Sequence, residues 1–266
     1  MPSLRSDDAE IFYEIRGKGP PVVLLHPFPC HHEFWNPVAA MLESRYRLVL
    51  PDLRGHGDSE IGEGPAFMQK HASDLARVLD AADVGKAVFI GCSIGGYILF
   101  EFWRRFRARV NGLVLCDTRP QADTPEARAN RLKTASVVLE QGTEPFFETM
   151  IPKLIGRTTL AARPDLVEGA RAMMRKMSAE DISLVQRGTA ERPDSVADLA
   201  SIDVPTTIVI GDEDVLSTVA DGDLMRQNIR GSRLKVIPKA GHYAPWEQSD
   251  AVGTVLRQFL DELIAR

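Results

Sequence analysis

An α/β fold, with a mostly parallel central sheet flanked by helices and a helical cap insertion, is predicted by three observations. Short apolar runs alternate with helical periods up to residue 118 and again from 205, the rhythm that builds βαβ units. From Arg119 to Asp194 no buried strand is legible, so about 75 residues read as helices inserted after a sheet strand. Residues 87–100, AVFIGCSIGGYILF, read as strand, tight turn and helix. A chain of 266 residues suits one such domain with an insertion. The expected division is a core of residues 1–118 and 195–266 and a cap of residues 119–194.

Taken in order, residues 9–16 (AEIFYEIR) alternate as an antiparallel edge strand, ended by Gly17-Lys18-Gly19-Pro20-Pro21. The run Val22-Val23-Leu24-Leu25 is a strand buried on both faces, and it stops at His26-Pro27-Phe28-Pro29. A helix is expected from Pro37, with Asn36 as its N-cap. Residues 47–51 form the next strand, and the glycine-punctuated loop 52–59 follows it. Phe67, Ala72, Leu75, Ala76, Val78 and Leu79 set a helical period over 66–82. Residues 110–116 (VNGLVLC) are another buried strand. In the insertion, Thr124-Pro125-Glu126 starts a helix, and further helices run near 144–154, 164–176 and 178–190. The sheet resumes at 205–211, followed by a helix near 218–230, a strand at 233–237 and a closing amphipathic helix over 247–265.

Composition narrows the function. The chain is 44% hydrophobic and 26% charged, ordinary for a globule with a substantial core. A net charge of -5 gives no basic footprint for nucleic acid or anionic lipid, and no apolar run approaches a membrane span. The N-terminus MPSLRSDDAE is acidic and lacks an apolar segment, so no signal peptide is expected. Cys30, Cys92 and Cys116 are odd in number and lack metal-ligand spacing, which suits free thiols in the cytoplasm.

The turn Gly91-Cys92-Ser93-Ile94-Gly95 has the form G-x-S-x-G. A serine on a strained strand-to-helix turn needs neighbours without bulk two residues to either side, and Gly91 and Gly95 meet that need. Such a turn lifts the hydroxyl above the sheet, beside the positive end of a helix. A glycine-rich turn that merely joins strand to helix is the plainer account, so the case rests on a base and an acid elsewhere. A phosphate loop is argued against, because neither G-x-G-x-x-G nor Lys-Ser/Thr follows the glycines. Of six histidines, His242 leaves the last strand at the sheet end that holds Ser93, and it is the expected base. Asp214, past the penultimate strand, is the expected acid, with Asp117 its rival and Asp212 and Glu213 read as turn formers. Two N–H donors must meet an oxyanion. Ile94, after the nucleophile, supplies one, and Phe28, stiffened by Pro27, is the candidate for the other.

The stretches LLHPFP, PDLRGHGDS, GCSIGG, VIGDEDVLS and AGHYAPWEQ stand in this order at strand ends. On them the chain resembles the α/β-hydrolase fold superfamily over nearly its whole length. Pro27 departs from the family's common His-Gly. A subset similar to 3-oxoadipate enol-lactonases and related carboxylesterases tolerates His-Pro, and CDTRPQADTPEARANR also resembles that subset. The loop 52–59 reads as structural, with Arg54 and Asp58 a candidate pair, and the resemblance implies the same structural role. A serine at 93 argues against haloalkane dehalogenases and epoxide hydrolases, which use a carboxylate.

The expected activity is hydrolysis of a carboxylic ester through an acyl-enzyme, without metal or organic cofactor. Alternatives are an enol-lactonase or C–C hydrolase on a carboxylate-bearing substrate, a cofactor-free haloperoxidase or perhydrolase, and a ligand receptor with an idle triad. Trp35, Phe146, Met150, Met174 and Trp246 are candidates for the substrate pocket, against the plainer account of cap-to-body packing. Arg119, Arg128 and Arg131 read first as a solvated helix face and second as carboxylate recognition. The partner expected is a small-molecule ester or lactone. Oligomeric state stays open, a homodimer included.

Overall fold

The structure, a computed structural model, describes residues 2–264. Met1, Ala265 and Arg266, the outermost residues of the expected core segments and the end of the expected last helix, lie outside the described residues. Among the described residues eight strands form one sheet: β1 (Ser3–Ser6), β2 (Ala9–Arg16), β3 (Pro21–Leu25), β4 (Arg47–Pro51), β5 (Ala87–Cys92), β6 (Val110–Cys116), β7 (Thr206–Gly211) and β8 (Arg233–Ile237). Their order is β1-β2-β4-β3-β5-β6-β7-β8. From β4 to β8 all neighbours are parallel, while β1 and β2 run antiparallel. Helices α1 (Asn36–Leu42), α2 (Met68–Ala81), α3 (Ile94–Phe106), α9 (Val219–Asn228) and α11 (Ser249–Ile264) connect or follow these strands.

The central strand, β5, is buried at every position, as a parallel strand covered on both faces must be. Phe89 and Ile90 in it are fully enclosed, each side chain worth about 2 kcal/mol of apolar burial. Between β6 and β7 lie five helices: α4 (Pro125–Gln141), α5 (Glu144–Leu154), α6 (Arg157–Ala162), α7 (Pro164–Met174) and α8 (Ala179–Ala190). The Thr124 hydroxyl accepts from the Ala127 N–H and caps α4, and Ser178 with Asp181 forms a capping box on α8. Among the described residues no helix is long and apolar enough to cross a membrane.

Three local expectations need correction. Residues 9–16 are not the sheet edge, because β1 pairs outside them; a four-residue strand is too short for its periodicity to register. Asn36 does not cap α1. The chain enters through a tight turn over His32–Trp35, and Asn36 Oδ1 instead accepts from Arg16 Nη2 at 2.7 Å. Arg54 does not pair with Asp58. Buried Arg54 is held by Asp74, at 2.9 and 2.7 Å, and by Asp8, which joins the loop 52–59 to α2. The short helices α6 and α10 (Ala244–Glu247) escape a reading by period, since fewer than two turns carry no repeat.

Candidate active site

Ser93 sits between β5 and α3 with φ 54° and ψ -114°, a left-handed conformation that costs an L-residue about 1–3 kcal/mol. The surroundings hold it there. Its N–H donates to the Cys116 carbonyl at 3.0 Å, and the Thr118 hydroxyl donates to its carbonyl at 2.8 Å, so the end of β6 grips both sides of the turn. A Cβ on Gly91 would lie 2.6 Å from the carbonyl carbon of Gly95, and one on Gly95 would lie 2.7 Å from the Leu25 carbonyl oxygen. No side chain fits either gap, which is the physical content of the two glycines.

Ser93 Oγ lies 2.7 Å from His242 Nε2, and His242 Nδ1 lies 2.8 Å from Asp214 Oδ2. An ionised carboxylate only accepts. The ring proton therefore belongs on Nδ1, which leaves Nε2 to accept from the serine hydroxyl. Asp214 Oδ1 in turn accepts from the N–H groups of Leu216, at 2.7 Å, and Ser217, at 3.0 Å. The three side chains come from the ends of β5, β7 and β8 and are all nearly enclosed.

The rival acid, Asp117, does something else. Its Oδ1 accepts from the Gly211 N–H at 2.8 Å and ties β6 to the exit of β7. Burial, then the nearby charge of Asp214, pushes its carboxyl well above the usual range. Glu213, read as a turn former, reaches the insertion: it accepts from the Thr158 N–H at 2.8 Å and the Thr158 hydroxyl at 2.6 Å, at the start of α6.

Ile94 is the first residue of α3, where helix N–H groups have no acceptor one turn back. Phe28 stands on the loop after β3. Neither N–H donates to a backbone acceptor among the described residues. One histidine stiffens this region. His26 bridges Pro27 O, at 3.0 Å, and the Leu53 N–H, at 2.9 Å. Burial, then the charge of His56, holds His26 well below the usual imidazole range. Tyr243, next to His242, donates its hydroxyl to the Phe28 carbonyl at 3.0 Å.

Ser93, His242, Ile94 and Phe28 face one cavity of about 290 Å³. Phe28, Phe146 and Met150 form apolar wall, and Arg119, Asp123 and Arg131 form a polar end. Trp35, Met174 and Trp246 lie outside this lining and need correction as pocket residues. Trp35 is fully buried and packs edge-on against Phe34. Met174 is enclosed in the core at the end of α7. Trp246 donates to the Leu166 carbonyl at 3.0 Å and lies against Gly169, joining α10 to α7. Nearness in sequence to a site loop does not set which way a side chain points. Of the three arginines, Arg128 pairs with Glu191 at the surface, whereas Arg119 and Arg131 reach the cavity.

Sequence reading passed over Thr118, Tyr243 and Glu247. Glu247 accepts from the N–H groups of Gly156 and Gly241, both at 2.9 Å, and so joins the insertion to the histidine loop. Only Tyr243 carried a signal, its place beside His242. Elsewhere, His31, His32 and Asp52 bring possible metal-ligating atoms within 4.8 Å of one another. His32 Nδ1 is already on Asp52 Oδ1 at 2.8 Å, and Asp52 Oδ2 accepts from the Asp58 N–H at 2.8 Å. The carboxylate thus closes the loop 52–59.

Residues 20–249 match the family described as alpha/beta hydrolase fold. The chain is similar to a solved thermophilic esterase from Thermogutta terrifontis with malate bound: 35% identity, TM-score 0.95, 99% of each chain covered. It is 29% identical to a putative 2-succinyl-6-hydroxy-2,4-cyclohexadiene-1-carboxylate synthase of Bacillus subtilis, over 94% of this chain and 95% of that protein. It is 27% identical to 3-oxoadipate enol-lactonase 2 of Acinetobacter baylyi, over 97% of both.

Proposed function

The chain belongs to the α/β-hydrolase fold family, and on that premise we propose that it cleaves carboxylic esters through an acyl-enzyme on Ser93. The observation that carries this reading is the hydrogen-bonded series Ser93, His242, Asp214. His242 Nε2 takes the Ser93 proton as Oγ bonds to the acyl carbon. The carbonyl π electrons move to oxygen, and the N–H groups of Ile94 and Phe28 stabilise that oxyanion. Asp214 keeps the imidazole in the needed tautomer and offsets its positive charge. When the oxyanion collapses, the C–O bond to the alcohol breaks, and the imidazolium gives its proton to the departing oxygen. Water then repeats the sequence on the acyl-enzyme, with His242 again as base, and frees the acid and Ser93.

The similarity to an esterase and an enol-lactonase supports esters, cyclic ones included, as the substrate class. Three free, buried cysteines fit the cytoplasm as the compartment. The test is hydrolysis of para-nitrophenyl butyrate. Wild type releases nitrophenol and is labelled at Ser93 by a fluorophosphonate, whereas Ser93→Ala does neither. Equal release by both proteins would overturn the reading.

A further inference from the structure

Arg119 follows Thr118, whose hydroxyl holds the Ser93 carbonyl at 2.8 Å. Arg119 therefore leaves the sheet beside the nucleophile, on the strand end that grips the elbow, rather than on a remote part of the insertion. The charged lysine, arginine, aspartate and glutamate residues lining the cavity among those described are three cations, Arg119, Arg131 and Lys153, and one acid, Asp123. A fourth cation, Arg192, stands behind the wall with its guanidinium 4.4 Å from the centre of the Tyr97 ring.

Asp123 cannot neutralise this set. Arg131 Nε approaches it at 2.6 Å and Arg192 Nη1 at 2.7 Å, while Arg119 Nη2 stands off at 3.6 Å. Burial pushes the Asp123 carboxyl upward, but the guanidiniums of Arg131 and Arg192 outweigh it and hold it below the usual range, so it carries one full negative charge. Arg131 also donates to Gln186 at 3.0 Å. Arg119 is the least engaged of the three arginines: its Nε–H is buried and has no acceptor among the described residues. A guanidinium with free donors, in a cavity that keeps excess positive charge, matches a carboxylate by both charge and fork geometry.

We propose that Arg119, backed by Arg131, forms a carboxylate subsite, so that the preferred substrates are esters or lactones carrying a second, free carboxylate. This inference rests on the acyl-enzyme reading for its catalytic half, but the binding half stands alone.

The experiment compares the para-nitrophenyl monoester of glutaric acid with neutral para-nitrophenyl hexanoate, which is of similar length. In wild type, kcat/KM for the charged ester exceeds that for the neutral one by about tenfold or more. Arg119→Gln lowers this ratio by about tenfold, mainly through KM, and Arg119→Lys recovers part of it. Glutarate binding is measured by calorimetry on wild type and on Ser93→Ala, where no chemistry intervenes, with and without Arg119→Gln. Glutarate that binds both proteins, and binds about tenfold more weakly without Arg119, supports the subsite even if neither ester is hydrolysed; that pattern would overturn the acyl-enzyme reading alone. A wild type that prefers the neutral ester, or binds no glutarate, overturns the subsite while leaving hydrolysis standing. Should Arg119→Gln fail to fold, the wild-type ratio and glutarate binding decide by themselves.

Discussion

The Tyr243 hydroxyl donates to the Phe28 carbonyl at 3.0 Å, joining the residue beside His242, the proposed base, to the residue expected to supply an oxyanion donor. The Tyr243 hydroxyl oxygen itself accepts from the Cys30 thiol at 3.3 Å. The bond to the Phe28 carbonyl fixes the plane of the Phe28–Pro29 peptide, and the Cys30 N–H donating to the Pro27 carbonyl at 3.0 Å fixes the plane that carries the Phe28 N–H, so both peptides flanking Phe28 are held. Tyr243→Phe keeps the ring and removes the bond. The expected result is a loss of about 1 kcal/mol in stability and a drop in kcat of about tenfold with KM little changed, as befits weaker transition-state stabilisation. Urea unfolding and ester kinetics on the variant check both.

Ser93 is strained, with φ at 54°, and glycine is not. Ser93→Gly is expected to raise the unfolding free energy by about 1 kcal/mol while activity falls by at least about a thousandfold. Ser93→Ala should lose activity equally but keep the strain. A Ser93→Gly protein no more stable than Ser93→Ala in thermal unfolding would show that the elbow relaxes locally.

Glu247 holds two buried amides, one in the insertion and one in the histidine loop. Glu247→Ala leaves both without an acceptor, at a cost of about 1–3 kcal/mol each. Glu247→Gln retains one acceptor oxygen and should fall between. The alanine variant is expected to show a lower urea midpoint and a lower kcat, because His242 follows Gly241 directly. An alanine variant with wild-type kcat would separate the clamp from catalysis.

Acid should weaken the fold through buried histidines. Burial holds His56 down to about 4, from an ordinary value of 6.5, although its Nδ1 lies 3.0 Å from the Arg54 carbonyl. The unfolded chain then binds a proton that the folded chain refuses between these two values. Stability is full above about 6.5, falls as pH drops toward 4, and levels below that, with a loss on the order of 3 kcal/mol from this group. His26 and His71, both pushed well below the usual range chiefly by burial, add to the loss. Urea midpoints at pH 7 and pH 5 for wild type and His56→Gln test this: the variant should lose less on acidification.

Apolar runs placed seven of the eight strands among the described residues, and the G-x-S-x-G pattern placed the elbow. Strand ends, glycines at a tight turn and helix caps are set by local sterics and hydrogen bonding, so neighbouring residues suffice to reveal them. The pairing of Ser93, His242 and Asp214 was legible for the same reason: each follows a recognisable strand, and parallel strands end at one rim. Side-chain direction inside the insertion was not. Phe146 and Met150 line the cavity while Met174, in the same insertion, does not. Arg119 and Arg131 turn inward while Arg128 turns to Glu191. Helical period says that a face exists, but it does not say what that face meets. The clamps made by Thr118, Tyr243 and Glu247 are likewise invisible along the chain, since each joins residues at least 25 positions apart, or two loops that only folding brings together. Local chemistry announces the strained serine turn, whereas long-range packing chooses what stands opposite it, because a side chain's partner depends on elements that the surrounding sequence does not contain.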